Sequence, residues 1–326
     1  MAKVAVTGGA GFIGSHLVEA LLGAGFEVAV VDDLSSGSRD NLPSAGRRLR
    51  LLVGDVGDGA VLRRAFRGAE AVFHLAARTS VPESVADPVS YHRVNAGGTL
   101  EALLRAREAG ARRFVLAGSC AVYGDVGGRA ARETLAPAPA SPYAAAKLAA
   151  EAYLRAFRES LGFDAVALRF FTVYGPRQRP DSPYAAVVPR FFEALLAGGR
   201  PTVFGTGKQT RDLVYVGDVA AACLAVAAAR GPLSPVYNLG TGRSTSVLAL
   251  LREAARALGA PAAPRFEPAR PGEILRSRAD VSLLRREVGF RASVSLSEGI
   301  RRTACWFRDA AGRGGLPGPG KAGRRR

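Results

Sequence analysis

The chain has 326 residues, 48% of them hydrophobic, so it can bury a large core as one α/β domain or two smaller ones. It has 45 basic and 28 acidic residues and a formal net charge of +17, which favours binding of phosphate-bearing molecules. The three cysteines are far apart and odd in number, which argues against a disulfide framework and favours a reducing, cytoplasmic location.

The chain is organised around a glycine-rich turn near its N-terminus. An apolar run at residues 4–6 precedes Thr7-Gly8-Gly9-Ala10-Gly11-Phe12-Ile13-Gly14, and helical spacing of apolar side chains follows from Ser15. In such a strand–turn–helix context, glycines let the backbone approach a pyrophosphate, and the N–H groups of the helix start face its charge. The spacing differs from Gly-x-Gly-x-x-Gly, and a glycine triplet alone is often a plain turn. The flanking strand and helix favour a dinucleotide site at Gly8, Gly11, Phe12, Ile13 and Gly14.

Further apolar runs predict strands at residues 28–31, 49–53, 71–75 and 113–117. Asp32 follows the first run. An acid about 20 residues after the glycine turn accepts hydrogen bonds from an adenosine ribose and repels a 2′-phosphate, so Asp32 favours NAD over NADP. The alternative is an aspartate that caps a turn. Asp55 and Val56 are predicted beside the adenine, and the small residues Ala76 and Ala77 would let the cofactor pass.

Strands that alternate with helical segments predict an α/β fold, a Rossmann-type doubly wound parallel sheet with a smaller C-terminal α/β substrate domain. Later segments predict strands at 165–171, 201–204, 213–216 and 236–239, and helices at 95–107 and 187–196. We expect an NAD-binding domain over residues 1–174 with a returning segment at about 213–248. An interleaved nucleotide-sugar-binding domain is expected over 175–311. Residues 312–326 are rich in Gly, Pro and Arg and predict a disordered basic tail.

Tyr143 and Lys147 form the only Tyr-x-x-x-Lys pair in the chain, which contains four lysines. Four residues apart near the start of a predicted helix, they share one helix face. An ammonium beside a phenol favours the phenolate, so the pattern predicts a lowered pKa for Tyr143 and a base that works near neutral pH. Ser119, just after the predicted strand at 113–117, is the third candidate catalytic residue.

Together these motifs resemble the extended short-chain dehydrogenase/reductase superfamily, among its nucleotide-sugar epimerases and dehydratases, and are most similar to the UDP-glucose 4-epimerase type. The resemblance runs from about residue 3 to about residue 309. It implies bound NAD, Tyr143 as acid/base, Ser119 bonded to the sugar oxygen and Lys147 at the nicotinamide ribose. It also implies contacts to the UDP-sugar from Arg211 and Arg270 at the diphosphate and from Phe204 and Glu273 near the base and ribose.

The resemblance leaves several reactions open that share one first step, oxidation at C4 of the sugar. Dehydratases carry acidic residues after the Ser or Thr, and decarboxylating relatives commonly have a Glu there, whereas this chain has Cys120 and Ala121. Ala121 has no acid or base, and Cys120 would titrate only with a lowered pKa. We therefore predict C4 epimerisation of UDP-glucose/UDP-galactose and interpret Cys120 as a packing residue.

The sugar itself has alternatives. Thr172 and Arg179 resemble residues that hold the uronic carboxylate in UDP-glucuronate 4-epimerases, whereas Ala117 and Gly118 lack the hydroxyls that those enzymes carry before the serine. Ser277 lies near the position that limits the sugar pocket in similar epimerases, where a small residue would admit an N-acetyl group. A dehydratase, a decarboxylase or a non-catalytic NAD-binding module is less favoured.

The remaining expectations concern partners. The helices at 95–107 and 143–158 resemble the pair that forms a four-helix interface in the family, which predicts a homodimer unless these faces only cover the sheet. We expect no nucleic-acid partner, because no basic strand is interleaved with aromatic residues. The longest low-polarity run, 219–229, is too short to span a membrane, and no signal peptide is evident. The histidines and cysteines show no zinc-like spacing, so no metal is expected.

Overall fold

The structure is a computed structural model that describes residues 1–179, 186–269 and 274–313. Arg270 and Glu273, two of the predicted substrate-binding residues, lie outside the described residues. So do residues 314–326 of the predicted tail.

The described residues form strands and helices that alternate along most of the chain. The strands are β1 (Lys3–Thr7), β2 (Glu27–Asp32), β3 (Leu49–Val53), β4 (Ala71–His74), β5 (Arg113–Ser119), β6 (Ala165–Phe170), β7 (Thr172–Tyr174), β8 (Thr202–Phe204), β9 (Thr210–Arg211), β10 (Leu213–Tyr215), β11 (Val236–Leu239), β12 (Thr245–Ser246) and β13 (Arg265–Glu267). The helices are α1 (Phe12–Gly23), α2 (Gly59–Phe66), α3 (Val81–Ala86), α4 (Pro88–Tyr91), α5 (Gly98–Glu108), α6 (Pro142–Leu161), α7 (Val187–Leu196), α8 (Val216–Ala228), α9 (Val247–Leu258), α10 (Ser282–Val288) and α11 (Leu296–Gly312).

Seven parallel strands form the central sheet in the order β11-β6-β5-β4-β1-β2-β3. The inner strands β4, β5 and β6 are buried along their whole length, as expected where helices cover both faces. The order of the strands reverses between β1 and β4, so a crevice opens at the carboxyl ends of these strands, where such folds bind ligands. This confirms the predicted doubly wound parallel sheet.

Each face of the sheet has its own apolar core. Helices α1 and α8 pack on one face, with Leu17 and Val219 fully buried. Helices α2, α5 and α6 pack on the other face, with Leu62 and Leu154 fully buried. These two layers fix the positions of the glycine turn before α1 and of the start of α6.

A third core belongs to the smaller C-terminal part of the fold. It joins α7, α9 and α11 to β7, β8 and β10, and at its centre the rings of Phe192 and Phe307 stack with centroids 5.0 Å apart. The small two-stranded sheets β7–β10, β9–β12 and β8–β13 border this core. The predicted smaller C-terminal α/β part of the fold is thereby confirmed.

Several boundaries differ from the prediction. Helix α1 begins at Phe12 rather than Ser15, because the last glycine of the turn is already helical. The helix predicted at 95–107 begins as a π-helical turn, His92–Gly97, and continues as α5. Gly312 is the last residue of α11, so the predicted tail starts inside a helix. Of the helices in the described ranges, none is long and apolar enough to cross a membrane.

Candidate active site

Two glycines of the turn leave no room for a side chain, because backbone atoms of neighbouring residues lie too close. Gly8 has φ +68°, and a Cβ built there would lie 2.6 Å from the amide nitrogen of Ala76. A Cβ on Gly14 would lie 2.0 Å from the carbonyl oxygen of Gly8. Gly11 is the N-cap of α1, no described side chain caps it, and the first turn of the helix contains no acid. The N–H groups of this turn, including those of Phe12 and Ile13, therefore suit an anion such as a pyrophosphate.

Asp32 ends β2 and lies buried beside the glycine turn. Its Oδ2 accepts the backbone N–H of Ala10 at 2.9 Å, and its Oδ1 accepts that of Leu34 at 2.9 Å. Burial raises the pKa of this carboxyl, and the two backbone hydrogen bonds oppose the rise. Asp32 therefore does cap a turn, as the alternative interpretation supposed. It also lies at the carboxyl end of β2, and each of its carboxylate oxygens can accept a further hydrogen bond.

The other predicted cofactor residues lie at the same edge of the sheet. The Oδ1 of Asp55 accepts the N–H of Gly57 at 2.6 Å, and Val56 is buried. Ala76 follows β4, and its N–H bonds to the Oγ1 of Thr7 at 3.3 Å. Ala77 is half-buried next to it. The residues along this edge are small, or their side chains are hydrogen-bonded to the backbone. They therefore leave a path for an extended dinucleotide.

The three predicted catalytic residues converge at the carboxyl end of β5 and the start of α6. Ser119 is the last residue of β5, and its Oγ accepts the N–H of Ala121 at 3.2 Å. Tyr143 and Lys147 lie on the first turns of α6 and are 9% and 5% exposed. The Nζ of Lys147 donates a hydrogen bond of 2.8 Å to the carbonyl oxygen of Ala117, two residues before Ser119.

The predicted lowering of the Tyr143 pKa is wrong for the chain by itself. Burial raises the pKa of Tyr143 to about 12, and hydrogen bonding to Ser119 opposes this only in part. Lys147 does not compensate, because its ammonium is bonded to the Ala117 carbonyl and its own pKa is lowered by burial to about 8. Tyr143 therefore needs a further positive charge nearby to act as a base near neutral pH.

Cys120 is not an acid or base in this setting. Desolvation raises the pKa of its thiol to about 11, although hydrogen bonding to Ser277 opposes the rise. The charges of Arg211 and Asp212 also act on this thiol. The fold therefore brings Arg211 and Ser277, which are distant in sequence, close to the residue that follows Ser119.

The other substrate-binding candidates lie on the elements that surround this point. Thr172 begins β7 and donates its N–H to the carbonyl oxygen of Asp212 at 3.0 Å. Arg179 is exposed on the loop after β7, and Phe204 ends β8. Arg211 is half-buried in β9.

Sequence reasoning missed Asp212, which holds this region together. Its Oδ1 accepts the N–H and the hydroxyl of Thr241 at 2.8 and 2.7 Å, and its Oδ2 accepts the N–H groups of Gly242 and Ala279 at 2.9 and 3.0 Å. The side chain is fully buried. These bonds tie the end of β9, at Arg211, to the segment that contains Ser277. The signal in the sequence was an acid directly after Arg211, the arginine predicted to bind the diphosphate.

Comparison with known proteins agrees with this geometry. The model of a family described as the NAD dependent epimerase/dehydratase family matches residues 4–240. A UDP-glucose 4-epimerase of Mycolicibacterium smegmatis is 42% identical over 312 residues, which is 94% of this chain and 99% of that protein. The structure of the UDP-glucose 4-epimerase of Thermotoga maritima with UDP-glucose is 37% identical, with a TM-score of 0.89 over 95% of this chain and 99% of that one. A UDP-N-acetylglucosamine 4-epimerase from Methanobrevibacter ruminantium, in complex with UDP-N-acetylmuramic acid, is 38% identical, with a TM-score of 0.90 over 94% and 98%.

Proposed function

Since the chain belongs to the NAD dependent epimerase/dehydratase family, we propose that it is an NAD-dependent 4-epimerase that interconverts UDP-glucose and UDP-galactose. The observation that carries the proposal is the convergence of Ser119, Tyr143 and Lys147 next to Cys120 and Ala121. A protonated thiol and a methyl group offer no acid or base for elimination of water. UDP-glucose 4-epimerases that resemble almost the whole chain support the same reaction.

The residues of the crevice fit NAD in type and position. In this proposal the pyrophosphate lies at Gly8, Gly11, Phe12, Ile13 and Gly14, the adenosine at Asp32, Asp55 and Val56, and the nicotinamide end at Ala76, Ala77, Tyr143 and Lys147. Bound NAD would supply hydride transfer at C4 and a positive charge on the nicotinamide. That charge is the one that the buried phenol of Tyr143 lacks in the chain by itself.

Tyr143 exchanges a proton with the 4-hydroxyl of the sugar. It would take the proton when C4 is oxidised to the ketone and return it when the ketone is reduced on its opposite face, so that no net redox change occurs. Ser119 donates a hydrogen bond to the same sugar oxygen. The charge of Lys147, which does not lower the pKa of Tyr143 by itself, would add to that of the nicotinamide in favouring the phenolate. Arg211 suits the diphosphate, because a guanidinium offers paired donors to phosphate oxygens.

Two other sugars remain candidates. Thr172 and Arg179 favour UDP-glucuronate, and the small Ser277 favours UDP-N-acetylglucosamine. The division into an NAD-binding part, residues 1–174 with about 213–248, and a nucleotide-sugar-binding part, 175–311, belongs to the same proposal. So does a cytoplasmic location, which is supported by three cysteines that are free thiols in the described chain.

The test is to incubate the purified protein with a panel of UDP-sugars and to separate the products by chromatography. We expect interconversion of UDP-glucose and UDP-galactose. A 4-keto-6-deoxy or decarboxylated product would overturn the choice of epimerisation. Lack of turnover by protein that retains NAD would support a non-catalytic module instead.

Arg179→Ala is expected to discriminate between acidic and neutral sugars. A hydrogen bond from a guanidinium to a uronic carboxylate is worth roughly 1.5–3 kcal/mol, so its loss would lower kcat/KM for UDP-glucuronate about ten- to a hundredfold. The neutral 6-hydroxyl of UDP-glucose would lose much less. The matched control is Arg243→Ala, which removes another exposed arginine. Equal, small losses of kcat/KM with both sugars would mean that Arg179 does not bind the sugar and would favour UDP-glucose as the substrate. If the wild type did not turn over UDP-glucuronate, that substrate would be excluded.

We also propose a homodimer formed by α5 and α6. The outer face of α6 carries Ala145, Ala152 and Ala156, which are exposed, and Tyr153, which is 37% exposed. Small side chains on a helix face allow close approach of a second helix, and a tyrosine supplies contact area. An exposed face of this kind suits pairing with the same face of a second copy.

Ala152→Arg is expected to convert the dimer to a monomer. The substitution puts one arginine from each copy into the proposed interface, where the two like charges repel each other. Light scattering at micromolar concentration gives the mass. Ala221→Arg is the control, since Ala221 is exposed in the middle of α8, away from this face. A wild type that is monomeric at micromolar concentration, or an Ala152→Arg variant that stays dimeric, would dismiss this interface.

A further inference from the structure

A buried ion pair lies one helical turn beyond Lys147. Tyr143, Lys147 and Glu151 are spaced by four residues on α6, so they line one face of the helix. Arg169 on β6 meets the carboxylate of Glu151, with Nε 3.1 Å from Oε1 and Nη2 2.7 Å from Oε2. The side chains of Arg169 and Glu151 are only 5% and 4% exposed. Such a paired contact fixes the orientation of the carboxylate.

Gly118 makes room for this pair. It is the register partner of Arg169 in the β5–β6 ladder, and a Cβ on Gly118 would lie 3.1 Å from the Oε1 of Glu151. The carboxylate therefore reaches the backbone between Ala117, which binds Lys147, and Ser119. A larger residue at position 118 would push Glu151 away from this segment.

Arg169 is held from its other side as well. Its Cζ lies 4.6 Å from the centroid of the Tyr123 ring, and the hydroxyl of Tyr123 donates a 2.6 Å hydrogen bond to the Oδ1 of Asn238. Asn238 is fully buried in β11. The guanidinium is thus held between a fixed ring and Glu151, so the position of Glu151 does not depend on solvent.

Glu151 is the acidic group that acts on Lys147. Burial lowers the pKa of Lys147 to about 8, and the charge of Glu151 raises it. From β4, His74 contributes no positive charge, because its burial and the charge of Lys147 lower its pKa to about 3. Two further groups on this side are neutral near pH 7: Tyr143, and Tyr91, whose ring lies 6.5 Å from that of Tyr143.

The remaining neighbours do not replace this acid. The thiol of Cys120 is protonated near pH 7 because its pKa is raised to about 11. Arg169 brings a second positive charge, and Ala117 offers only a carbonyl oxygen. Without Glu151, the ammonium of Lys147 would be buried with no acid acting on it, while Arg169 would still interact with the carboxyl of Glu133.

We propose that Glu151 is a positioning residue that supplies the buried negative charge for the ammonium of Lys147 and so keeps that ammonium charged near Tyr143. Arg169 orients the carboxylate of Glu151, and the absence of a side chain at Gly118 leaves room for it. The consequence for catalysis rests on the proposed function, but the charge relation itself does not. Its loss would leave Lys147 partly neutral at the pH at which Tyr143 must act.

The test uses the fact that the chain contains only four lysines. Protein labelled with ¹³C at the lysine ε-carbon gives few signals, and the Lys147 signal is the one missing from Lys147→Arg. We expect Glu151→Gln to move the pKa of Lys147 down by roughly 1–2 pH units, as the loss of a nearby opposite charge does. Glu151→Asp is expected to retain most of the wild-type value. The control Glu159→Gln removes an exposed acid on the same helix and is expected to change nothing.

The double variant Glu151→Gln/Arg169→Gln is the second measurement, because the single variant leaves the buried charge of Arg169 without its carboxylate partner and can fail to fold. A Lys147 pKa below that of the wild type in either folded variant supports the proposal, and an unchanged value in both overturns it. In activity, Glu151→Gln should shift the alkaline limb of kcat to lower pH, an effect that a loss of packing would not produce. If the wild type epimerises no UDP-sugar, the proposed function fails while the NMR titration still decides the role of Glu151.

Discussion

Tyr143→Phe is expected to lower kcat for UDP-galactose by about 10²- to 10⁴-fold, the usual contribution of a positioned acid/base. The substitution removes only the phenolic oxygen, and the ring remains packed 6.5 Å from that of Tyr91. Lys147 does not replace the phenol as proton acceptor, because its pKa of about 8 leaves it mainly an ammonium, which has no acceptor, near pH 7. The fold should therefore persist while the 4-hydroxyl loses its proton acceptor.

The measurement is kcat by product chromatography, together with the NAD content and melting temperature of the variant. Tyr153→Phe is the matched control, since it removes a hydroxyl from the same helix at a position that is 37% exposed. We expect the control to keep wild-type kcat. If Tyr143→Phe kept more than about a tenth of wild-type kcat, Tyr143 would not be the acid/base of this site.

The central sheet and the position of the candidate catalytic residues Tyr143 and Lys147 could be predicted because they depend on local patterns. The bounds of β3, α7 and β11 match the apolar runs from which they were predicted. The spacing of Tyr143 and Lys147 places both on one face of α6 wherever that helix begins. These features follow from periodicity, which depends only on neighbouring residues.

The pKa of Tyr143 could not be predicted, because it depends on contacts that are distant in sequence. The sequence shows an ammonium four residues from the phenol, but not that the ammonium binds Ala117, 30 residues away. It also does not show that burial outweighs the hydrogen bond from Ser119. The spacing therefore predicted a lowered pKa for Tyr143, whereas burial raises it.

The supporting residues were missed for a related reason. Glu151 and Arg169 meet only because β5 and β6 pair in the register that sets Gly118 beside Arg169. From the sequence, Gly118 was interpreted only as the lack of a hydroxyl near the sugar. In the structure, the absence of a side chain there leaves room for the carboxylate of Glu151. A parallel register of this kind is set by the whole sheet and is not visible in a local motif.

Gly14→Ala is expected to abolish retention of NAD. Alanine normally stabilises a helix relative to glycine, but a Cβ at this position would lie 2.0 Å from the Gly8 carbonyl oxygen and 2.8 Å from the Cα of Gly9. Both are backbone atoms of the glycine turn, so the turn must move away from α1. The N–H groups would then no longer converge on the pyrophosphate. The loss of two such charge-assisted hydrogen bonds, each about 1.5–3 kcal/mol, would weaken NAD binding by at least about 100-fold.

The measurement is to denature the purified protein and identify the released nucleotide. The wild type is expected to release NAD rather than NADP, because a carboxylate at the end of the second strand, as in Asp32, repels a 2′-phosphate. Gly23→Ala tests the same change at the other end of α1, where a Cβ would meet no described atom within 4 Å, and should keep its NAD. Circular dichroism separates loss of the cofactor from loss of the fold, since overpacking costs typically 1–3 kcal/mol of stability. A folded Gly14→Ala variant with full NAD would mean that the glycine turn does not hold the pyrophosphate, and release of NADP by the wild type would refute the role of Asp32.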